Sequence, residues 1–274
     1  MKEFRAQPIY LAPILATLAV GLACTYLILI SSTETYTITI FPESLIGSLS
    51  NGIYFVALAA IGASILYLLL KRKNLRTIAL ITGFALTAAA FLVSAVYLWP
   101  LFSVLDASYA PFLVLTCAIL LTVAFDYAIF RKKGSSGSLA ILLLGGALGA
   151  FLGMSIQTLS AILILSFLAI YDVFAVYRGP VGKIASKGLE TLRGLSLAFK
   201  DVQIGLGDLT FYSMLVSVVA LADPTRPAFC FFSVLGVLAG SFLAFKMLEK
   251  KGIFPGLPFP VALGLLPLLV KSFL

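Results

Sequence analysis

The sequence predicts an all-α fold: a polytopic membrane protein of about nine transmembrane helices. Three observations carry that prediction. Only 11% of the 274 residues are charged, well short of the roughly 25% found in soluble domains. Hydrophobic residues make up 61% of the chain, and the mean hydropathy is +1.13. Apolar runs of about 20 residues recur from one end to the other, each long enough to cross roughly 30 Å of hydrocarbon as a helix.

Read between charged or turn-rich breaks, the runs give spans at 9–30, 45–70, 77–99, 107–130, 138–154, 157–177, 204–222, 227–247 and 256–273. The first begins near Tyr10 and shows no small-residue cleavage pattern, so it reads as a span and not as a removable leader. The segment 31–44 (SSTETYTITIFPES) is polar and β-branched, and is expected as an external loop or short hairpin. Span five carries Gly145, Gly149 and Gly153 on one helix face, where a neighbouring helix can approach closely. A Gly-Met-Ser-Ile-Gln break separates it from span six. The basic segment 178–203 lies between spans six and seven. Its stretch Ile184 to Phe199 reads either as an amphipathic helix on anionic headgroups or as a solvated connector.

Charge orients the chain. Of its 19 Lys and Arg residues, all but Arg226 and Lys271 fall on one side of this alternation. They lie before span one, after spans two and four, between six and seven, and between eight and nine. The positive-inside rule then sets the amino terminus in the cytoplasm and the carboxyl terminus outside, in a multi-pass protein of the cell membrane. The net charge of +8 follows from that placement and is no sign of nucleic-acid binding.

The chain has no histidine, which excludes Ser-His-Asp and Cys-His catalysis and most zinc and haem sites. Cys24, Cys117 and Cys230 fall in or beside apolar runs without CxxC spacing, and read as small buried apolar residues. No metal and no cofactor is expected.

Acids inside a span are the residues to explain, because charge in hydrocarbon is costly. Most acids here fall in loops; Asp126, Asp172 and Asp208 do not. Asp126 lies five residues before Arg131, within reach of the interface or of a basic neighbour. Asp172 and Asp208 each lie roughly 10 Å along the helix from the nearest flanking base. They occupy consecutive antiparallel spans, at similar depth on the same side of the membrane. Two carboxyls brought together in such a place share a proton and titrate as a pair. One can then activate a water while the other protonates a carbonyl oxygen. The same placement suits a cation- or proton-binding site in a transporter or leak channel, and spacing leaves both readings open.

The residues around the acids separate them. Asp172 follows Tyr171; Asp208 closes Gly205-Leu206-Gly207-Asp208; downstream comes Pro255-Gly256-Leu257-Pro258-Phe259-Pro260. Over about residues 165–265 the chain resembles the presenilin and signal peptide peptidase family of GxGD intramembrane aspartyl proteases. That family carries Tyr-Asp in span six, Gly-x-Gly-Asp in span seven and Pro-Ala-Leu at the start of span nine. All three occur here in order, with Gly256 in place of Ala; aligning Pro260-Val261-Ala262-Leu263 instead would require an insertion. The length and nine-span plan look like those of the compact microbial homologues.

The resemblance implies Asp172 and Asp208 as the catalytic pair. It implies Tyr171, Gly205, Leu206, Gly207, Pro255, Gly256, Leu257 and Pro258 as substrate-binding or supporting residues, no cofactor, and single-span transmembrane proteins or peptides as substrates beside the lipid bilayer. It divides one integral membrane unit into an amino-terminal bundle, 1–155 (spans one to five), and catalytic helices, 156–274 (spans six to nine). Physically, Gly205 one turn before Asp208 is expected to let span six approach, and Gly207 to relax the helix start. Pro255, Pro258 and Pro260 interrupt helix, leaving an extended strip whose free carbonyls can pair with an unwound substrate backbone. The inferred orientation resembles that of presenilins, whose substrates have their amino terminus outside. Prepilin-type peptidases also resemble the chain at Gly-x-Gly-Asp, but lack the Tyr-Asp and Pro-rich partners in these spans.

Overall fold

The structure is a computed structural model and describes residues 5–31, 37–103, 109–131, 135–179 and 194–271. Among these residues the chain forms nine α-helices. They are α1 (Ala12–Ser31), α2 (Leu45–Lys71), α3 (Leu75–Phe102), α4 (Ala110–Asp126), α5 (Ser135–Ser155), α6 (Thr158–Tyr177), α7 (Leu206–Ala222), α8 (Pro227–Lys251) and α9 (Pro258–Lys271). A short 3-10 turn, Pro8–Leu11, leads into α1, and a π turn, Tyr127–Arg131, continues α4. Seven helices are long and apolar enough to cross a membrane; α7 and α9 are shorter apolar helices. The chain is a multi-pass membrane protein.

Large apolar side chains cover the outside, as lipid requires. Helix α2 buries only Gly47, Ser48, Asn51 and Gly52, all in its first two turns, and exposes Leu58, Ile61, Ile65 and Leu68. Helix α7 is the opposite case. Twelve of its residues are buried, among them Leu209, Leu215 and Val216 at no more than 1% exposure. It is the central post of the bundle.

Small residues bring the neighbours in. Gly149 and Gly153 of α5 lie directly on α7: a Cβ on Gly149 would collide with the Thr210 carbonyl, and one on Gly153 would lie 2.8 Å from Ser217 Cβ. The glycine row thus meets a helix buried on nearly every side. Polar side chains close the same seam, with Ser213 donating to the Gly146 carbonyl (2.7 Å) and Thr25 of α1 to Ser217 (2.9 Å). Helix α9 lies against α8 in the same manner. Gly236 and Gly240 face the α9 backbone, and Ser233 donates to the Gly264 carbonyl at 2.8 Å.

One segment departs from the expectation. Residues expected to lie within the amphipathic helix or at the start of span seven form an antiparallel hairpin, β1 (Ser196–Phe199) and β2 (Val202–Gly205), with Phe199 opposite Val202. The tight turn is made by Lys200, at φ 52°, and Asp201. Val202 and Ile204 point inward and Gln203 outward, the two-residue period of a half-buried strand. The rest of the expected helix, 184–193, lies outside the described residues. The segment 31–44, expected as a loop or short hairpin, is a loop over its described residues 37–44. Ile38 donates to the Ser155 carbonyl (2.9 Å), and both backbone polar groups of Phe41 bond the side chain of Asn51. That strap ties the loop to α2 and to the end of α5.

At the far end of the bundle Lys271 of α9 donates to the Ala222 carbonyl (2.6 Å) and pairs with Asp223 (3.4 Å). The Thr225 hydroxyl bonded to Asp223, with help from the charges of Lys271 and Arg226, holds that carboxyl below the usual carboxylate range. A depressed native value means stability that is present above the ordinary Asp value and lost as pH falls through the native one. In detergent, the unfolding temperature is therefore expected to fall modestly below about pH 4. Asp223→Asn should lack that component, and an unchanged acid profile in the variant would contradict the assignment.

Candidate active site

Asp172 lies on α6, five residues before the helix ends at Tyr177, and is half-buried. Its carboxylate accepts the backbone N–H of Leu257 at 3.0 Å, and the neighbouring Gly256 amide also bears on it. Asp208 lies in the first turn of α7 and is also half-buried. Its carboxyl turns back to the backbone of Gly205, the residue that caps the helix. This is half of the reciprocal cap in which an acid at the third helical position bonds the capping amide. A Cβ placed on Gly256 would fall 2.7 Å from Oδ2 of Asp208 and 2.9 Å from its Cγ. Both carboxyls therefore border one short stretch of backbone, Gly256–Leu257, and lie within electrostatic reach of one another.

That stretch belongs to an irregular strip. Helix α8 ends at Lys251 with Gly252 at φ 74°, and α9 begins at Pro258. Between them, Ile253 to Leu257 make no helix. The strip is braced from outside: Phe254 stacks on Phe259 at 5.4 Å, and Lys251 lies 5.9 Å from the rings of both Tyr177 and Phe254.

Several supporting residues take positions other than those expected. Gly205 is not on a helix face. It ends β2 in extended conformation (φ −64°, ψ 140°), and the space where its side chain would stand holds the carboxyl of Asp208 itself, 3.4 Å away. The close approach that glycine allows is thus by its own neighbour and not by α6. Gly207 faces open space, with Phe211 the nearest atom at 4.0 Å. Leu206 is buried against Gly145 of α5, and its N–H closes the hairpin onto the Leu195 carbonyl (2.8 Å). Tyr171 is half-buried beside Asp172, and its hydroxyl makes no hydrogen bond among the described residues. Pro255 and Leu257 are buried. The strip's carbonyls are not all free: Gly256 accepts from the Tyr212 hydroxyl (2.9 Å) and Leu257 from the Val261 amide (3.0 Å). Asp126 stands apart, its Oδ2 accepting from Thr87 across α3 and α4 at 2.8 Å.

Sequence reasoning missed two contributors. Tyr212 lies four residues after Asp208 and so shares its helix face, a spacing that was available as a signal. Strand β2 straddles the expected start of span seven at residue 204. Val202, Gln203 and Ile204 join Asp208, Tyr212, Ser241 and Gly256 around a cavity of about 80 Å³, large enough for two or so waters at roughly 30 Å³ each. Val202, Gln203 and Leu248 also line a wider hollow of about 770 Å³, bordered by Arg5, Asp201, Glu249 and Lys250. The cavity at Asp208 thus adjoins a polar mouth that carries charges of both signs.

The fold has known counterparts. The whole chain superposes on two solved presenilin-family intramembrane aspartate proteases. One, from a C222 crystal, matches with a TM-score of 0.67 and 18% identity over 96% of each chain. The other, from a P2 crystal, matches with a TM-score of 0.60 and 20% identity over 96% of this chain and 95% of that one. The fold is the presenilin-family fold. In sequence, Presenilin-B of Dictyostelium discoideum is 34% identical over 116 residues, 38% of this chain. The match covers 24% of that relative, so the chain spans about a quarter of its length. No family model matches the chain.

Proposed function

We propose that the chain is an intramembrane-cleaving aspartyl endopeptidase, with Asp172 and Asp208 as the reacting pair. The observation that carries this reading is the convergence of both carboxyls, from separate helices, on the Gly256–Leu257 backbone. The presenilin-family fold supports it, as does the curated relative named Presenilin-B.

The chemistry follows from two acids that hold one proton between them. The ionised carboxylate takes a proton from a water as the water oxygen bonds to the scissile carbonyl carbon. The protonated acid gives its proton to the carbonyl oxygen. The tetrahedral gem-diol then collapses: the carboxylate takes a proton from one of its hydroxyls as the carbonyl re-forms, the C–N bond breaks, and the other acid protonates the leaving nitrogen, so the pair again holds a single proton. Water reaches Asp208 through the small cavity from the hollow beside Arg5 and Lys250. Substrates are single-span transmembrane proteins or peptides, unwound beside Pro255–Pro258, since a helical peptide bond hides its carbonyl in its own ladder. Gly205 and Tyr171 stand beside the acids, Gly207 leaves open space next to Asp208 for substrate, and Leu206 anchors the start of α7 against α5. The amino terminus is cytoplasmic and the carboxyl terminus outside.

The purified chain, incubated with a generic single-span peptide, should yield two fragments by mass spectrometry. Asp172→Asn and Asp208→Asn should each abolish them while leaving thermal unfolding nearly unchanged. Full activity in either variant ends this reading, and ion flux into proteoliposomes that persists without peptidase activity would favour a transporter. Because one acid must be charged and the other neutral, rate against pH should be bell-shaped. Gly256→Val should cost about 100-fold in turnover with the fold retained, because the new side chain displaces the Asp208 carboxyl; wild-type rates would show that the carboxyl has room to move. Reporter fusions at Lys2 and Leu274 test the orientation, and a cytoplasmic signal from Leu274 would reverse it.

A further inference from the structure

We infer that Tyr212 is a positioning residue whose hydroxyl, acting through the Gly256–Leu257 peptide group, fixes the orientation of Asp172. The inference rests on the reading of Asp172 as one of the two reacting acids.

The carbonyl of Gly256 and the N–H of Leu257 belong to one planar unit. Tyr212 donates to the oxygen of that unit at 2.9 Å, and its N–H donates to Oδ2 of Asp172 at 3.0 Å. The plane is thus pinned at both ends, by α7 on one side and α6 on the other. Its two flanking residues differ in freedom. Leu257 precedes Pro258, which confines it to extended backbone. Gly256 has no Cβ and is the residue type least able to resist rotation. Left to itself, the plane can turn on the glycine side, which would swing the carbonyl oxygen toward Asp172 and set oxygen against carboxylate. The Tyr212 hydroxyl opposes that turn.

Tyr212 is built to hold still. It is 3% exposed, stands one turn beyond Asp208 on α7, and has Ser241 of α8 against its hydroxyl. A buried tyrosine hydroxyl needs a partner, and the strip supplies it. The helix that carries one acid therefore orients the other, through the peptide group between them.

The test compares wild type, Tyr212→Phe, and a chain in which an ester oxygen replaces the Leu257 N–H (leucic acid at 257). Each is assayed with the same single-span peptide for kcat, KM, pH–rate profile and unfolding temperature. Tyr212→Phe is expected to lower kcat about tenfold, the loss of one buried hydrogen bond. KM should stay within about twofold and the pH–rate profile should be displaced, with the unfolding temperature kept. The ester should reproduce both effects, and combining the two changes should add little, since they cut one relay. Wild-type kcat and pH profile in Tyr212→Phe would overturn the inference. So would a rise in KM alone, or losses that multiply in the double variant. If Tyr212→Phe fails to fold, the ester chain decides alone: a displaced profile supports the relay and an unchanged one removes it. Absence of cleavage by the unaltered chain is a different failure, one that removes the protease reading itself before any variant is compared.

Discussion

Backbone that is not helical is tolerated at membrane depth only if its polar groups find partners inside the protein. The strip between α8 and α9 meets that constraint, and much of the molecule is arranged around the way it does so. Its amide at Leu257 is satisfied by Asp172, and its carbonyl at Gly256 by Tyr212. The acids are thus not guests in a finished bundle. One of them is part of the hydrogen bonding that lets an irregular segment exist where it does, and the other fills the space left by a missing side chain at 256.

That strip in turn needs firm walls. Helix α7 supplies one by being buried along nearly its whole length. It can be so central because α5 presents glycines to it, and because serines and threonines on α1 and α7 hand their hydroxyls to neighbouring carbonyls and to one another. Among helices in lipid, where apolar burial gives little net drive, close backbone approach and satisfied hydroxyls are what remains to hold a bundle together. Helix α9 is kept beside α8 by the same means, with an ion pair at its far end.

Much of this was legible in the chain. Spans two, six and eight begin within a residue of where they were read, because polar or proline-bearing breaks mark their starts. The Tyr-Asp, Gly-x-Gly-Asp and Pro-Gly-Leu segments meet around a single peptide group. What escaped was local geometry that hydropathy does not carry. Ile204 and Gly205 passed for the start of span seven, and only their pairing with Leu197 and Ser196 places them in a strand. Gly205 was read from its spacing to Asp208 on a helix, but the chain is still extended there, so the spacing had a different meaning. Tyr212 looked like one more aromatic in a buried span, because the carbonyl that occupies its hydroxyl lies 44 residues away in sequence.

Helices α7 and α9 share a further property. At 1.5 Å per residue, α7 rises about 25 Å and α9 about 21 Å, against roughly 30 Å of hydrocarbon. Both begin at the acids, so the deficit falls at the same end of each. A ribbon, a strip and two hollows fill the depth that helix does not. Non-helical backbone and water-sized space therefore stand where packed helix stands elsewhere in the bundle. That opening shortens the path from bulk solvent to Asp208, at a place where a full-length helix would have excluded water.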